Sequence, residues 1–337
     1  VEESIVDWLV YIGYIAMVAI IVTLSIKLGK YVDIMDAKSN ISGAFIGGVL
    51  LAAVTSLPEL FTSLSAVWIV KENSMIIGNI LGSDLINLAF FGVILLIYWR
   101  GMKKAKFNAF YYTALGVACG MYALTAIGLY FAEYMQFTWF SVISPAILLL
   151  YVLFVRSMPK TSESDDEKSD EGITLKQAVI RFAICAVVLI GASIAMTYLT
   201  DMVADRLNLG KTFAGALFLG VATSLPELIS SVTLCHRGNF NAAAGNIIGS
   251  NIFNFAILFV ADVFSFIPNS SGIYILNTDS KWLLILGVIA TVTTLCMMLI
   301  KNKCNKKYAL YGVQAINAVP PILYVIYLLI TTGIIIG

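Results

Sequence analysis

Two identical hexapeptides place a glutamate inside long apolar stretches of the chain. The sequence Thr-Ser-Leu-Pro-Glu-Leu occupies residues 55–60 and again residues 223–228. Glu59 and Glu227 lie near the middle of these stretches, where an ionisable side chain costs roughly 2.5–3.5 kcal/mol if the stretch crosses a bilayer. That cost favours a cation-binding role for both carboxylates over the alternative, which is a pair of protonated glutamates kept for structural reasons.

A proline precedes each glutamate and changes what the backbone offers. Pro58 and Pro226 each remove a backbone donor and disfavour helix immediately upstream. We therefore expect the carbonyls and hydroxyls of Thr55 and Thr223 to turn toward a central cavity, because non-helical backbone at membrane depth is tolerated where it lines one. The alternative is that the prolines only kink their helices for packing.

A second repeated motif follows each glutamate by about twenty residues. The pattern Gly-Asn-X-X-Gly-Ser begins at Gly78 and at Gly245, and each copy has an asparagine four residues after its serine. Small residues at this spacing let helices approach closely, so we expect the serine and asparagine of each copy to lie beside the glutamate of the same copy. These residues are Ser83 and Asn87 in the first copy, and Ser250 and Asn254 in the second.

The candidate ligands are all oxygen atoms of carboxylates, amides, hydroxyls and carbonyls. Hard cations prefer oxygen, and Ca²⁺ takes six to eight such ligands at roughly 2.3–2.6 Å. The chain has one histidine and five cysteines without metal-site spacing, which disfavours soft transition metals. The ligand types leave Mg²⁺ and Mn²⁺ open as substrates. We expect no resident cofactor.

The composition indicates that these motifs are positioned by membrane-spanning helices. Of 337 residues, 60% are hydrophobic and 12% are charged, whereas soluble domains have about 25% charged residues. The net charge of +1 argues against a nucleic-acid partner. Ten segments have the length and composition of bilayer spans. They are residues 8–28, 41–70, 76–99, 109–131, 139–155, 178–200, 212–235, 242–264, 282–300 and 309–335.

The order of the motifs predicts an inverted repeat. Five predicted spans separate equivalent motif copies, and an odd number gives the two halves opposite orientations, as in many secondary transporters. We predict an all-α integral membrane protein with two inverted five-helix repeats, residues 1–156 and 176–337, joined by a flexible acidic linker at 157–175. Connections on one side hold 17 of the 21 basic residues, so the positive-inside rule places that linker in the cytoplasm and both termini outside.

At these motifs the chain resembles the calcium/cation antiporter superfamily, and specifically its sodium/calcium exchanger branch of the prokaryotic type. The two repeats of that branch centre on Gly-Thr-Ser-[Leu/Val]-Pro-[Glu/Asp] and Gly-Asn-X-X-Gly-Ser-Asn segments. The resemblance extends over the whole chain, including the ten-span plan. The proton/calcium exchanger branch typically has a Gly-Asn-X-X-Glu segment where this chain has Thr-Ser-Leu-Pro-Glu.

The resemblance implies a role for each repeated residue. Glu59 and Glu227 resemble the bridging ligands of a central Ca²⁺, and Thr55 and Thr223 resemble its carbonyl donors. The residues that correspond to partners for Na⁺ or for bridging water are Ser56, Ser83, Asn87, Ser224, Ser250 and Asn254.

Three departures from the family pattern bear on these roles. Val54 and Ala222 replace the glycine before each Thr-Ser. Asn254 stands where some relatives have aspartate, which argues against potassium dependence. Asp84 stands where the motif has asparagine, and it either supplies a third negative charge or accepts hydrogen bonds as the replaced asparagine would.

We therefore predict a secondary antiporter, and not an enzyme, that exports Ca²⁺ in exchange for Na⁺ across the plasma membrane. Its expected partners are these two ions and the lipid bilayer, and it is expected to act as a monomer. The main alternative is Ca²⁺/H⁺ exchange at the same glutamates. A channel is a further alternative. An enzyme built on Ser56 or Ser224 would need a base, and His236 is distant from Ser56 in sequence.

Overall fold

A computed structural model provides the structure of the protein. It describes residues 2–38, 51–102, 107, 109–137, 140–157, 173–236, 240–265, 272–303 and 307–332. Four predicted features therefore lie partly outside the described residues. They are the acidic linker, of which 158–172 are not described, and the second, fifth and tenth predicted spans, of which 41–50, 139 and 333–335 are not described.

Helices make up most of the described chain. The first half contains α1 (Glu2–Lys38), α2 (Leu51–Thr55), α3 (Leu57–Ser65), α4 (Ser74–Ile97), α5 (Trp99–Met102), α6 (Ala109–Tyr130), α7 (Ala132–Met135) and α8 (Ile143–Ser157). The second half contains α9 (Leu175–Arg206), α10 (Lys211–Ala214), α11 (Gly220–His236), α12 (Phe240–Phe264), α13 (Thr278–Lys303), α14 (Lys307–Asn317) and α15 (Val319–Thr331). Two π-helical turns, Ala66–Val70 and Gly215–Leu219, follow α3 and α10. A short antiparallel pair of strands, β1 (Gln136–Phe137) and β2 (Phe140–Ser141), precedes α8.

The described helices confirm a multi-pass membrane protein. Eight segments are long and apolar enough to cross a bilayer. They are Trp8–Leu28, Ser74–Ile97, Ala109–Tyr130, Leu175–Arg206, Lys211–Val232, Ala243–Phe264, Thr278–Lys301 and Gly312–Thr331. The other two predicted spans appear as shorter apolar helices, Leu57–Val70 and Ile143–Arg156. The count of ten spans therefore stays a prediction.

The bundle has a buried centre and an apolar exterior. About three quarters of the apolar segment is buried in α4 (78%) and in α12 (72%). The corresponding share is only 17% in α1 and 22% in α9. The outer helices α1 and α9 pack along each other, and α4 contacts α11, α12, α13 and α15. Large apolar side chains such as Trp8, Ile15 and Val187 are exposed on the outer helices, as expected for a surface that faces lipid.

Glycines allow α4 to approach the second half of the chain closely. A Cβ atom added at Gly82 would lie 2.6 Å from the Cα of Ala216, and one added at Gly215 would lie 2.7 Å from the carbonyl oxygen of Met75. These contacts confirm the close approach that the glycine spacing predicts for the first motif copy. They bring α4 against the π-helical turn that leads into α11, which positions the two halves of the site.

Gly82→Ala is therefore expected to destabilise the protein by about 1–3 kcal/mol, because the new methyl group would displace backbone in a packed contact. Thermal unfolding in detergent, followed by circular dichroism, measures the effect. Gly116→Ala is the matched control, since its Cβ would meet no atom within 4 Å and alanine is the better helix former. Equal unfolding temperatures for the two variants would contradict this packing.

Candidate cation site

The two predicted glutamates lie together in the centre of the bundle. Glu59 is in the first turn of α3 and Glu227 is in α11, and both side chains are fully buried. Their carboxylates are close enough to interact electrostatically with each other. Because the glutamates come from opposite halves of the chain, the site is formed only when the halves pack.

The prolines affect the backbone differently in the two copies. In the first copy α2 ends at Thr55 and α3 begins at Leu57, with Ser56 between them at φ −92° and ψ 9°. In the second copy α11 runs without a break from Gly220 to His236 and contains Pro226. The helix break that the prolines predict therefore occurs in the first copy alone. A proline removes only one N–H donor, and surrounding helices can support the remaining turn.

Hydroxyl groups from both halves of the chain lie around the carboxylate of Glu227. Ser56 Oγ donates a hydrogen bond to Glu227 Oε1 at 3.1 Å. The hydroxyls of Thr55 and Ser250 are 3.4 Å apart, and both lie near the same carboxylate. Ser56 and Thr55 of the first half therefore contribute hydroxyls next to the glutamate of the second half.

The carboxylate of Glu59 has less protein contact. Thr223 is the hydroxyl next to it, and that hydroxyl donates to the Leu219 carbonyl at 2.9 Å. Three carboxylate oxygens of the pair have no hydrogen-bond partner in the described chain: both oxygens of Glu59 and Glu227 Oε2. Ser224 Oγ, in the residue after Thr223, is also buried and unpaired among the described residues. Since nearly all buried polar atoms in proteins are paired, these oxygens indicate a place for a ligand.

Two asparagines that were not predicted as site residues hold the glutamate helices. The Nδ2 atoms of Asn79 and Asn246 each lie 3.4 Å from the backbone carbonyl of the nearby glutamate, Glu59 or Glu227. Each amide also contacts two hydroxyls on the helix that carries that glutamate. Asn79 Nδ2 contacts those of Thr62 (3.2 Å) and Ser63 (3.1 Å). Asn246 Nδ2 contacts those of Ser230 (2.9 Å) and Ser231 (3.1 Å). The sequence pattern that could have identified these two asparagines is the repeated Gly-Asn motif, in which they occupy the second position.

The serines and asparagines after the glycine motif make different hydrogen bonds in the two copies. Ser250 lies near Glu227 as expected. The other three make different contacts: Ser83 Oγ donates to the Gly220 carbonyl (3.3 Å), Asn87 Nδ2 to Asn251 Oδ1 (2.9 Å) and Asn254 Nδ2 to Asp84 Oδ1 (2.9 Å). The placement of these three residues as cation ligands stays a prediction.

The site has the chemistry of a hard-cation site. It combines two carboxylates with hydroxyls, and within the described chain neither glutamate is in an ion pair with a basic residue. The described residues contain no group of three or more histidine, cysteine, aspartate or glutamate side chains that could hold a metal ion. Both carboxylates would be strongly unfavourable in their ionised forms without a cationic partner, whereas one Ca²⁺ or two Na⁺ would neutralise the two charges.

Comparisons with known proteins point to one family. A model for the family described as sodium/calcium exchanger protein matches residues 9–157 and 177–333. The chain is 26% identical over 273 residues to the sodium/calcium exchanger MaX1 of Methanosarcina acetivorans, which covers 70% of this chain and 77% of that protein.

Solved structures share the fold. The H⁺/Ca²⁺ exchanger CAX superposes with a TM-score of 0.65 at 13% identity, covering 97% of this chain and 89% of that one. The sodium-calcium exchanger NCX_Mj superposes with a TM-score of 0.57 at 20% identity, covering 95% of this chain and 98% of that one. At these identities the likeness concerns the fold alone.

Proposed function

Because the chain belongs to the sodium/calcium exchanger protein family, we propose that it is a secondary antiporter that exports Ca²⁺ from the cytoplasm in exchange for Na⁺. Transport of Ca²⁺ against a counter-ion is the activity of this family, which is a family of exchangers and not of enzymes. The choice of Na⁺ as the counter-ion is part of the proposal.

The observation that carries the proposal is the set of three unpaired, buried carboxylate oxygens of Glu59 and Glu227. A charge of −2 in the bundle interior matches one Ca²⁺ or two Na⁺, so the two ions would compete for one place as the halves alternate access. We assign to this site the glutamates and the hydroxyl and carbonyl groups that converge on them. With the side chains of the second motif, the assigned residues are Glu59, Glu227, Thr55, Thr223, Ser56, Ser224, Ser83, Asn87, Ser250, Asn254 and Asp84.

The proposal includes the topology that the sequence predicts. In this topology ten spans form two inverted repeats, residues 1–156 and 176–337. Both termini lie outside and the 157–175 linker lies in the cytoplasm. The protein acts as a monomer in the plasma membrane and has no resident cofactor. The contacts of Asn79 with the Glu59 helix recur at Asn246 with the Glu227 helix. Recurrence of one contact in both halves supports a common repeat.

Ca²⁺/H⁺ exchange is the second candidate, and the structural likeness to the exchanger CAX is the observation that favours it. The same two glutamates could carry protons in place of Na⁺. The Thr-Ser-Leu-Pro-Glu motif and the similarity to MaX1 favour Na⁺. The two candidates therefore differ in the counter-ion and not in the site.

Transport by the purified full-length chain in proteoliposomes distinguishes them. We expect an outward Na⁺ gradient at fixed pH to drive ⁴⁵Ca²⁺ uptake, and a pH gradient without Na⁺ to drive none. Uptake with the opposite dependence would establish H⁺ exchange. Efflux of preloaded Ca²⁺ that needs no cation on the other side would indicate a channel. Unlabelled Mg²⁺ or Mn²⁺ in excess would reveal a different divalent substrate by suppressing ⁴⁵Ca²⁺ uptake.

A further inference from the structure

The asparagines Asn79 and Asn246 connect the two repeated motifs within each half of the chain. Asn79 is on α4 and Asn246 is on α12, and both side chains are buried. Each amide nitrogen lies 3.4 Å from the backbone carbonyl of the glutamate of its own half. Both carboxylate oxygens of Glu59 stay unpaired among the described residues. The asparagine therefore contacts the backbone of the glutamate and leaves its carboxylate available to an ion.

A hydroxyl one turn after each proline extends this contact. In the first half, Thr62 Oγ1 donates to the Pro58 carbonyl at 2.8 Å and lies 3.2 Å from Asn79 Nδ2. In the second half, Ser230 Oγ donates to the Pro226 carbonyl at 2.8 Å and lies 2.9 Å from the asparagine nitrogen. Amide and hydroxyl together hold two consecutive carbonyls, those of the proline and the glutamate. We call this set of four groups the clamp of each half.

The acceptors fix the orientation of the amide in each clamp. A backbone carbonyl can only accept, so the amide nitrogen must face it and the amide oxygen must point away. Because the Thr62 hydroxyl donates to the Pro58 carbonyl, its lone pairs are left to accept from Asn79. Asn79 Oδ1 and Asn246 Oδ1 have no hydrogen-bond partner in the described part of the chain. The clamp therefore depends on the donor side of the amide.

The clamp recurs although the two glutamate helices differ in shape. In the first half the helix is interrupted at Ser56, whereas in the second half α11 continues through Pro226. A clamp kept only to stabilise the interruption would have no counterpart in the continuous helix. What the two halves share is a buried glutamate directly after the proline. The recurrence therefore points to the glutamate as the residue that the clamp serves.

Each clamp also aligns the glutamate with a serine of the candidate site. Ser83 follows Asn79 by four residues on α4, and Ser250 follows Asn246 by four residues on α12. Residues four apart lie on the same face of a helix. Because the amide holds the glutamate backbone one turn away from this serine, the clamp fixes the register between the helix that carries the carboxylate and the helix that carries the hydroxyl.

We propose that Asn79 and Asn246 are positioning residues that place Glu59 and Glu227 for binding of a divalent cation. An ion held by two carboxylates needs both of them in place at the same time, so an error in either backbone weakens binding. Side chains that orient metal ligands typically contribute 10–100-fold to metal affinity. This inference deepens the proposed function and rests on its cation site, but it does not depend on which counter-ion is exchanged.

Equilibrium binding of ⁴⁵Ca²⁺ to the purified full-length chain in Na⁺-free detergent solution tests the role. Asn79→Leu and Asn246→Leu keep a side chain of similar size and remove the donors, and each should raise the dissociation constant of Ca²⁺ about 10–100-fold. Thr62→Val removes the clamp hydroxyl and should also weaken binding. Thr62→Ser introduces the residue type that Ser230 already provides in the second clamp, and it should bind as the wild type does.

A matched control separates positioning from a general loss of stability. Thr125 is buried on α6, and its hydroxyl donates to the Met121 carbonyl at 2.9 Å, which is the type of bond that Thr62 makes to Pro58. Thr125→Val should leave the dissociation constant unchanged at a similar unfolding temperature without Ca²⁺. The double variant Asn79→Leu/Thr62→Val should bind no more weakly than Asn79→Leu, because both substitutions disrupt one clamp, whereas independent effects would add.

The proposal is overturned if either leucine variant binds Ca²⁺ as the wild type does, or if Thr62→Ser weakens binding as much as Thr62→Val. Failure of the proposed function gives a different result. A wild type that binds Ca²⁺ more tightly than the clamp variants, but shows no Na⁺-driven Ca²⁺ flux, would contradict Na⁺/Ca²⁺ exchange and support the positioning role. A wild type that binds no Ca²⁺ would overturn the cation site and the positioning role together.

Discussion

Replacing either central glutamate by glutamine is expected to abolish Ca²⁺ transport. Glu59→Gln and Glu227→Gln each keep the size of the side chain and remove one of two buried negative charges. At an effective dielectric constant near 20, a unit charge about 4 Å away interacts with a monovalent ion by about 4 kcal/mol. Even after the cost of removing water from Ca²⁺, we expect flux to fall at least about 100-fold, since about 2.7 kcal/mol suffices for that factor.

Uptake of ⁴⁵Ca²⁺ by proteoliposomes with equal amounts of protein measures this loss. Glu72→Gln is the matched control, because Glu72 lies outside the bundle centre, between the first π-helical turn and α4, and is partly exposed. The control should transport as the wild type does. If either central glutamine variant retained substantial uptake, the assignment of the site would be wrong.

The structure also indicates that these variants should fold. The oxygen of a glutamine at residue 227 can still accept the hydrogen bond that Ser56 donates to Oε1 at 3.1 Å. Glu59 has no carboxylate hydrogen bond among the described residues to lose. Removing a buried charge that lacks a cationic partner relieves an electrostatic cost in the protein without its ion. A loss of transport would then reflect a loss of ion binding.

The central pair of glutamates could be predicted because its signal is carried by sequence alone. An ionisable residue in a membrane span is costly, and the same hexapeptide around Glu59 and Glu227 makes chance a poor explanation. The close approach at Gly82 was predictable for a similar reason, since small residues at regular spacing indicate helix contact. Both predictions use local pattern and need no knowledge of how the halves face each other.

Contacts between the halves could not be predicted in this way. Nothing local to Ser56 indicates that it donates to Glu227, or that Asn254 donates to Asp84. These contacts depend on the rotation of each helix, and adjacent residues on a helix point about 100° apart. The unequal effects of Pro58 and Pro226 on their helices likewise depend on tertiary packing, which overrides local preference.

Na⁺ is expected to displace Ca²⁺ from the Glu59–Glu227 site. Two carboxylates provide a charge of −2, and either one Ca²⁺ or two Na⁺ neutralises it, so the two ions cannot both occupy the site without an excess of positive charge. When binding of one ion excludes the other, each lowers the apparent affinity of the other. The apparent dissociation constant of Ca²⁺ should therefore rise with about the second power of the Na⁺ concentration at high Na⁺.

The most direct test is equilibrium binding of ⁴⁵Ca²⁺ to the purified wild type, with Na⁺ replaced stepwise by choline at constant ionic strength and pH. We predict that the apparent dissociation constant of Ca²⁺ rises with about the second power of the Na⁺ concentration, and that K⁺ in place of Na⁺ has little effect. Glu59→Gln and Glu227→Gln should show no specific Ca²⁺ binding. Ca²⁺ binding that is indifferent to Na⁺, or that survives in both glutamine variants, would contradict exchange of the two ions at this pair of glutamates.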